Sequence, residues 1–591
     1  MSNERPSYPS IVDALEAEIA SPSSAPRFTF LADGDEPSGV LTPGDLFGRA
    51  RRVAAMLEAR GARGERVLLV VPERLEFIVA FVGCLMAGAV GVPALPPVNR
   101  RTGERLRVLA RTSRPRIVLT LESLRGGLEP FLAGEGVETS WCTVEESERS
   151  SAEGWRRPPL REDSMALLQY SSGSTGAPKG VMVTHGNLMA NCHLLRQASR
   201  PGPGARLVSW LPFHHDWGLI GCVVFPIVEQ LPCVLFEPSR FLSRPVRWLR
   251  AISRFRATIS CAPNFAYEMC AESLSLGKES PEGIDLSCWE VAMVGAEPVR
   301  WETLERFGAA CAPFGFRREG FFPTYGLAEH TLIASGGPPG AGARRLVLRR
   351  DALERGRVVP ADDAPEGACS LVGCGRPLGP HPVAVMDPVT GRRCATDEVG
   401  EIWLHGDSVA VGYWEDPEET RRTFGAELDG ESWLRTGDLG FLHDGELFLG
   451  GRLKDVIIKA GRNYFAEDVE RAAAMADPAL RPGAGAAFSL EAAGAERLIV
   501  LQELKVGPRP DVGPLIGRIQ QSLFAEVGVL ADAVLVLAPG RLDRTTSGKV
   551  RRRHARDRFA RGDLEALGRW CGWSSRPDGR AGGGDPTPAP G

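Results

Sequence analysis

The chain has 591 residues, 43% of them hydrophobic and 24% charged, with a formal net charge of −4. That length exceeds what one core can organise and predicts two or three folded units. The near-balanced charge carries no electrostatic footprint for nucleic acid, and runs such as Arg349–Arg350 and Arg551–Arg553 read as solvated faces.

The thirteen cysteines are odd in number and scattered, with no CxxC pair; Cys369 and Cys374 share a glycine-rich stretch but lack a second pair to complete a metal site. They predict reduced thiols and a cytoplasmic location, and no basic-then-apolar leader opens the sequence.

In chain order, residues 45–61 carry an amphipathic helical pattern ending at Gly61, followed by a strand at 67–71 and a helix at 73–90. Phe77 to Val98 has no charge, which raises a membrane span. Pro93, Pro96 and Pro97 break it, with Gly83, Gly88 and Gly91 inside, so a buried helix followed by a short strand is expected instead.

Alternation continues with strands at 116–120, 165–170, 181–183, 207–211, 258–261 and 290–294, and helices at 245–254 and 299–309, which predicts a layered α/β architecture. After about residue 370 short glycine-punctuated β-like runs suggest a small β-barrel-like subdomain, with Asp444–Gly445 as a hairpin turn between 440–442 and 446–449. Beyond Asp455 a smaller α+β unit is expected, with strands near 456–459, 498–504 and 533–537 and helices near 466–474 and 513–526. The expected division is 1–453 with an insertion at about 340–375, then 454–572, then a disordered Gly/Pro/Ser-rich tail at 573–591.

The segment SSGSTGAPKG (171–180) places four hydroxyl residues, three glycines and Lys179 between two strands. Successive backbone N–H groups in such a turn can converge on an anion, hydroxyls add donors, and lysine adds a point charge. It is not a Walker A loop, because Gly180 stands where Ser or Thr would follow the lysine. Only six of the seventy basic residues are lysine, which draws attention to Lys179, Lys454 and Lys549.

YSSGSTGAPKG resembles the phosphate loop of the adenylate-forming superfamily, which includes acyl-CoA synthetases, luciferases and peptide-synthetase adenylation domains. Further similar segments follow in that superfamily's order: VGAEPVR (294–300), PTYGLAEHT (323–331), RTGDLGFL (435–442), GRLKDVIIKAGRNYFAEDVE (451–470) and TTSGKVRR (545–552). The resemblance covers about residues 25–560 and implies a large N-terminal AMP-binding domain with a smaller mobile domain after it. It also implies ATP and Mg²⁺ as partners in activating a carboxylate to an acyl-adenylate.

On that resemblance Ser171, Ser172, Gly173, Ser174, Thr175, Gly176 and Lys179 would hold the β/γ-phosphates. Gly295, Ala296, Glu297 and Pro298, with Thr324, Tyr325 and Gly326, would serve the adenine end. Glu329 would hold the Mg²⁺ ion, Asp438 and Arg452 the ribose, Lys454 the hinge, and Lys549 would bridge the carboxylate and the α-phosphate.

LPFHHDWGLIGCV (211–223) and FVGCLMAGAVGVPALPP (81–97) resemble most the fatty acyl-AMP ligases, and residues 340–375 are similar in place to the insertion that marks that group. This implies a fatty-acid substrate and an acyl carrier protein supplied in trans as acceptor, generally not free coenzyme A. His215 either lines the carboxylate site or is a satisfied core histidine; Asp216 either faces substrate or is a structural hydrogen-bonding residue.

Three positions depart from the family pattern: Ala466 replaces a proline, His214 an aromatic and Trp217 a methionine. The rival readings are a medium- or long-chain acyl-CoA synthetase and a non-catalytic acyl-binding module; retention of Lys179, Glu329, Asp438 and Lys549 argues against the latter.

Overall fold

Short β-branched runs alternating with amphipathic helices fold into two seven-stranded sheets in the computed structural model. It describes residues 8–20, 24–72, 74–133, 139–171, 178–361, 368–380, 383–459, 462–492, 495–508, 510–545 and 548–573. In one sheet the order is Phe321–Pro323, Val291–Gly295, Ile259–Pro263, Leu207–Ser209, Cys233–Phe236, Phe28–Leu31 and Gly39–Leu41, parallel except for the last pair. In the other it is Gly412–Tyr413, Lys179–Thr184, Met165–Ser171, Val90–Pro93, Arg66–Val70, Ile117–Thr120 and Ser140–Thr143.

One apolar core joins residues of both sheets with the helices Leu75–Met86, His185–Ser199 and Phe225–Val228. Residues buried on all sides explain why these strands and helices read as near-continuous apolar runs. The suspected membrane segment is the helix Leu75–Met86, a turn at Gly88 (φ +66°) and the strand Val90–Pro93. Among the described residues no helix is long and apolar enough to cross a membrane. The strand expected over 207–211 stops at Ser209, and the helix expected over 73–90 is the shorter Leu75–Met86.

The strands Val383–Met386, Gly400–Leu404, Ala426–Leu428, Glu431–His443 and Glu446–Arg452 form an antiparallel five-stranded sheet. Its hairpin pairs Glu431–His443 with Glu446–Arg452, His443 lying opposite Glu446. Asp444 (φ 52°) and Gly445 (φ 76°) both occupy the left-handed region, as a two-residue type I′ turn requires. In the insertion Arg345–Arg349 and Ala368–Val372 pair as an antiparallel hairpin.

The last unit is a four-stranded sheet of Leu480–Ala492, Ala495–Leu504, Ala533–Leu537 and Gly568–Cys571. Helices Ala466–Met475 and Val512–Val527 cover one face and Arg552–Arg561 the other. Ala466 opens its helix buried, so alanine is accommodated at this first position. All thirteen cysteines are free thiols.

Candidate active site

Parallel strands deliver their C-terminal ends to one side of a sheet, and ligand crevices form there. The ends of Val291–Gly295 and Phe321–Pro323 carry the segments 294–298 and 323–329 to such an edge. A Cβ on Gly295 would lie 2.6 Å from the Thr324 carbonyl oxygen, and one on Gly326 only 1.9 Å from that of Leu332, so both close approaches demand glycine. Glu297 Oε1 accepts from the Phe265 backbone N–H at 2.6 Å, and burial raises its carboxyl above the ordinary value.

These segments wall a cavity of about 2030 Å³ that also takes in the 451–455 segment and the C-terminal unit. Its apolar reach includes Leu195, Trp210, Leu211, Trp217, Met269, Met293 and Ile333.

At the polar end Asp438 Oδ2 accepts from the Tyr325 hydroxyl at 2.7 Å, and Arg452 Nε stands 3.2 Å from Oδ1, across the paired strands. Glu329 Oε1 accepts from the Tyr413 hydroxyl at 2.8 Å, and its backbone carbonyl accepts from Ala410 N–H at 2.9 Å. Lys179 Nζ lies 2.5 Å from Glu419 and 4.8 Å from the centre of the Tyr413 ring. Burial lowers the Lys179 ammonium below the usual lysine range, with Asp416 opposing.

Lys549 enters from the C-terminal unit, its Nζ donating to the Ala296 carbonyl at 2.5 Å. Enclosure of that ammonium lowers its pKa, and Arg452 adds to the effect. Ala296 itself sits at φ +59°. Three residues on, Arg552 fixes the arm: it donates to Asp455 at 2.5 Å and to both oxygens of Glu470 at 2.6 and 2.9 Å.

Lys454 lies in the short turn Leu453–Asp455 and lines the same cleft; burial lowers its ammonium, followed by Lys179, Arg422 and Arg452 as neighbouring cations. Arg422 and Arg553 add positive charge to the cleft, and Tyr413 and Glu419 line it beside Lys179. Arg422, Tyr413 and Glu419 stand in no segment whose residue types signalled phosphate chemistry, so the sequence left them unassigned. Arg553 belongs to the run expected as a solvated face, which holds for exposed Arg553 but not for Arg552, whose side chain is 19% exposed and paired with Asp455 and Glu470.

Of the expected phosphate loop, Ser171 is described, its hydroxyl buried without a hydrogen-bond partner among the described residues. Ser172, Gly173, Ser174, Thr175 and Gly176 lie outside the described residues.

His215 and Asp216 line the cavity. Burial, then the adjacent His214, holds the His215 imidazole well below its usual pKa. Asp216 is pushed up to about 6 by burial, and its Oδ1 accepts from the Trp217 N–H at 2.7 Å. That bond caps the π-helix Trp217–Val224, so a structural hydrogen-bonding role is realised at Asp216 alongside its position on the cavity wall. Gly218 lets this helix form, since a Cβ there would meet the Pro212 carbonyl oxygen at 2.1 Å.

Mg²⁺ takes one or two carboxylates and leaves its other positions to substrate phosphates and water. No cluster of three ligating side chains occurs among the described residues. The single Glu329 carboxylate, facing a cation-lined cleft, fits an ion shared with a polyphosphate.

Residues 20–414 match the family model described as AMP-binding enzyme. The medium-chain-fatty-acid–[acyl-carrier-protein] ligase JamA of Moorena producens is 39% identical over 574 residues, covering 95% of this chain and 97% of that one. A putative fatty-acid–CoA ligase, fadD21 of Mycobacterium leprae, is 36% identical, covering 89% and 93%. The crystal structure of a fatty acyl-adenylate ligase from L. pneumophila, in complex with acyl adenylate and pyrophosphate, superposes with a TM-score of 0.73 at 36% identity, covering 95% and 98%. With the cleft, the two-unit layout and these likenesses together, the chain belongs to the AMP-binding enzyme family and, within it, to the fatty acyl-AMP ligases.

Proposed function

We propose that this enzyme uses ATP to activate a fatty acid and then passes the acyl group to the phosphopantetheine thiol of an acyl carrier protein supplied in trans. In the first step a carboxylate oxygen attacks the α-phosphorus, the bond to the bridging oxygen of the β-phosphate breaks, and pyrophosphate leaves. Both reactants are anions, so the protein's contribution is alignment and charge neutralisation.

The observation that carries this reading is Lys549 Nζ at 2.5 Å from Ala296, held in a cleft that also presents Arg452, Glu329 and Lys179, with Asp438 paired to the lining residues Tyr325 and Arg452. Lys549 would neutralise the attacking carboxylate and the α-phosphate; Asp438 would accept from ribose hydroxyls; Lys179 would meet the departing pyrophosphate. Bound Mg²⁺ would supply charge neutralisation on phosphate oxygens, and Glu329 is the side chain that would hold it. The apolar reach beyond Trp217 suits an alkyl chain. The unit boundary falls at 453/454, and the smaller unit would turn about Lys454 to withdraw Lys549 before the thiol attacks.

The insertion supports a carrier protein over free coenzyme A. Its Glu354 carbonyl accepts from Asn463 N–H at 3.1 Å, and Phe465 packs on the cluster of Leu346, Leu348, Leu353, Val358, Phe441 and Phe448. It therefore grips the segment about which the smaller unit would turn. A coenzyme A acceptor is the second reading, favoured by the name of the mycobacterial relative.

Incubation with ATP, Mg²⁺ and a fatty-acid panel, with and without coenzyme A and with a carrier protein bearing phosphopantetheine, separates the two by product mass. Acyl-adenylate that persists with coenzyme A and is consumed by the carrier is the expected result. Abundant acyl-CoA would transfer the chain to the synthetases.

A further inference from the structure

Tyr413 stands outside every segment that the sequence singled out, yet it touches two groups of the phosphate end at once. Its hydroxyl donates to Glu329 Oε1 at 2.8 Å, and its ring lies 4.8 Å beneath Lys179 Nζ. The residue is itself rigidly held. Tyr413 pairs antiparallel with Val181 in the strand that follows the phosphate loop, and Trp414 N–H donates to the Gly180 carbonyl at 2.8 Å. Its own N–H donates to Thr420 Oγ1 at 2.9 Å, and the Phe424 ring meets it edge-on at 5.2 Å. Three residues earlier Ala410 holds the Glu329 backbone. The residue is only 6% exposed, and these contacts hold its ring and hydroxyl in place.

We propose that Tyr413 is a positioning residue for the phosphate end of the site: its hydroxyl occupies Oε1 of Glu329 and so leaves Oε2 to face a divalent cation, while its ring face, beside the Glu419 carboxylate, helps to set the place of Lys179. A carboxylate rotating about its last torsion would present either oxygen, or both, to an ion; one buried hydrogen bond removes that freedom. Outer-shell partners of metal ligands act in this way, and their loss commonly costs ten- to a hundredfold in metal affinity. The cation–π contact with Lys179 makes the same residue the spacer between the two groups that would flank the pyrophosphate. This inference rests on the proposed function of Glu329 as the cation ligand.

The test is Tyr413→Phe, which keeps the ring and deletes the hydroxyl, compared with Glu329→Gln and with the double variant. Two quantities are read. One is the Mg²⁺ concentration giving half-maximal ATP–pyrophosphate exchange. The other, independent of turnover, is calorimetric binding of ATP with Mg²⁺ or with EDTA, and of inorganic pyrophosphate alone.

The expected result is about a tenfold rise in the half-saturating Mg²⁺ concentration for Tyr413→Phe. ATP binding in EDTA and pyrophosphate binding should be retained, and no further loss should follow when the substitution is added to Glu329→Gln. Unchanged Mg²⁺ dependence would overturn the proposal, as would an equal loss of pyrophosphate and Mg²⁺-dependent binding, which is what mere collapse of the wall would give. If the wild-type enzyme activates no fatty acid, the proposed function fails while the calorimetric comparison still decides on Tyr413.

Discussion

Among the described residues Lys549 makes one side-chain hydrogen bond, to the Ala296 carbonyl, so the fold gains little from it, while in the proposed reaction it would be the cation beside the attacking carboxylate and the α-phosphate. Lys549→Ala should therefore lower adenylation by about 10²–10³-fold, the usual loss when one aimed donor is removed. Nucleotide affinity and the unfolding midpoint should be nearly unchanged; a parallel fall in stability, read by thermal unfolding, would make the residue structural.

His185 is the opposite case. Both its ring nitrogens are buried without a partner among the described residues, and burial lowers its pKa to about 4. The neutral ring is favoured in the fold, so its stabilising contribution is present above the unfolded value of about 6.5 and lost as pH falls towards 4. Asp216, raised to about 6, acts with the reverse sign in an overlapping window and flattens the curve of the whole protein. The difference in unfolding free energy between wild type and His185→Leu cancels Asp216 and should shift by about 3 kcal/mol between pH 7 and pH 4. A pH-independent difference would show that the imidazole is not held neutral.

Among the elements, the regular strands and helices were readable because their periodicity is set by burial. The strand at Ala533–Leu537 lies where the apolar run places it, and the Asp444–Gly445 turn where two left-handed residues are needed. The π-helix at Trp217–Val224 was not readable, since its register depends on Gly218 fitting against Pro212, a contact made by tertiary packing. Neither was Tyr413: a tyrosine between a glycine and a tryptophan carries no local mark, and its role arises from pairing with Val181 across more than two hundred residues. The strand Leu480–Ala492 was missed because proline and two glycines near its start break the alternation on which strand readings rely.

The insertion hairpin is an element whose effect can be measured by loosening its hold. Phe465→Ala removes the aromatic ring that joins it to the start of the smaller unit, at a cost of about 1–3 kcal/mol. Adenylation should stay within about twofold, while acyl-CoA formation rises several-fold over wild type. No gain with coenzyme A would mean that the hairpin grips without restricting the acceptor.

At the scale of the molecule, the charge group around Arg552 unites the turn beside Lys454, the helix Ala466–Met475 and the loop bearing Lys549. Arg552→Met should leave Glu470 buried without its counter-charge, and burial already raises that carboxyl. The expected outcome is a several-fold rise in AMP released per acyl-thioester formed, read by quantifying both products with the carrier present. An unchanged ratio would mean that Lys549 is positioned without Arg552.

The same bracing bears on what happens to the mixed anhydride once it exists. An acyl-adenylate is short-lived in water, and a lysine on a fraying loop would expose it piecemeal whenever that loop opened. Here the lysine is three residues from a guanidinium that grips both Asp455 and Glu470, which ties its arm to the rest of the unit. On the proposed turn of the whole unit the cleft would uncover in one movement, the same that would admit the thiol, and the braced arm would hold down hydrolytic leakage until then.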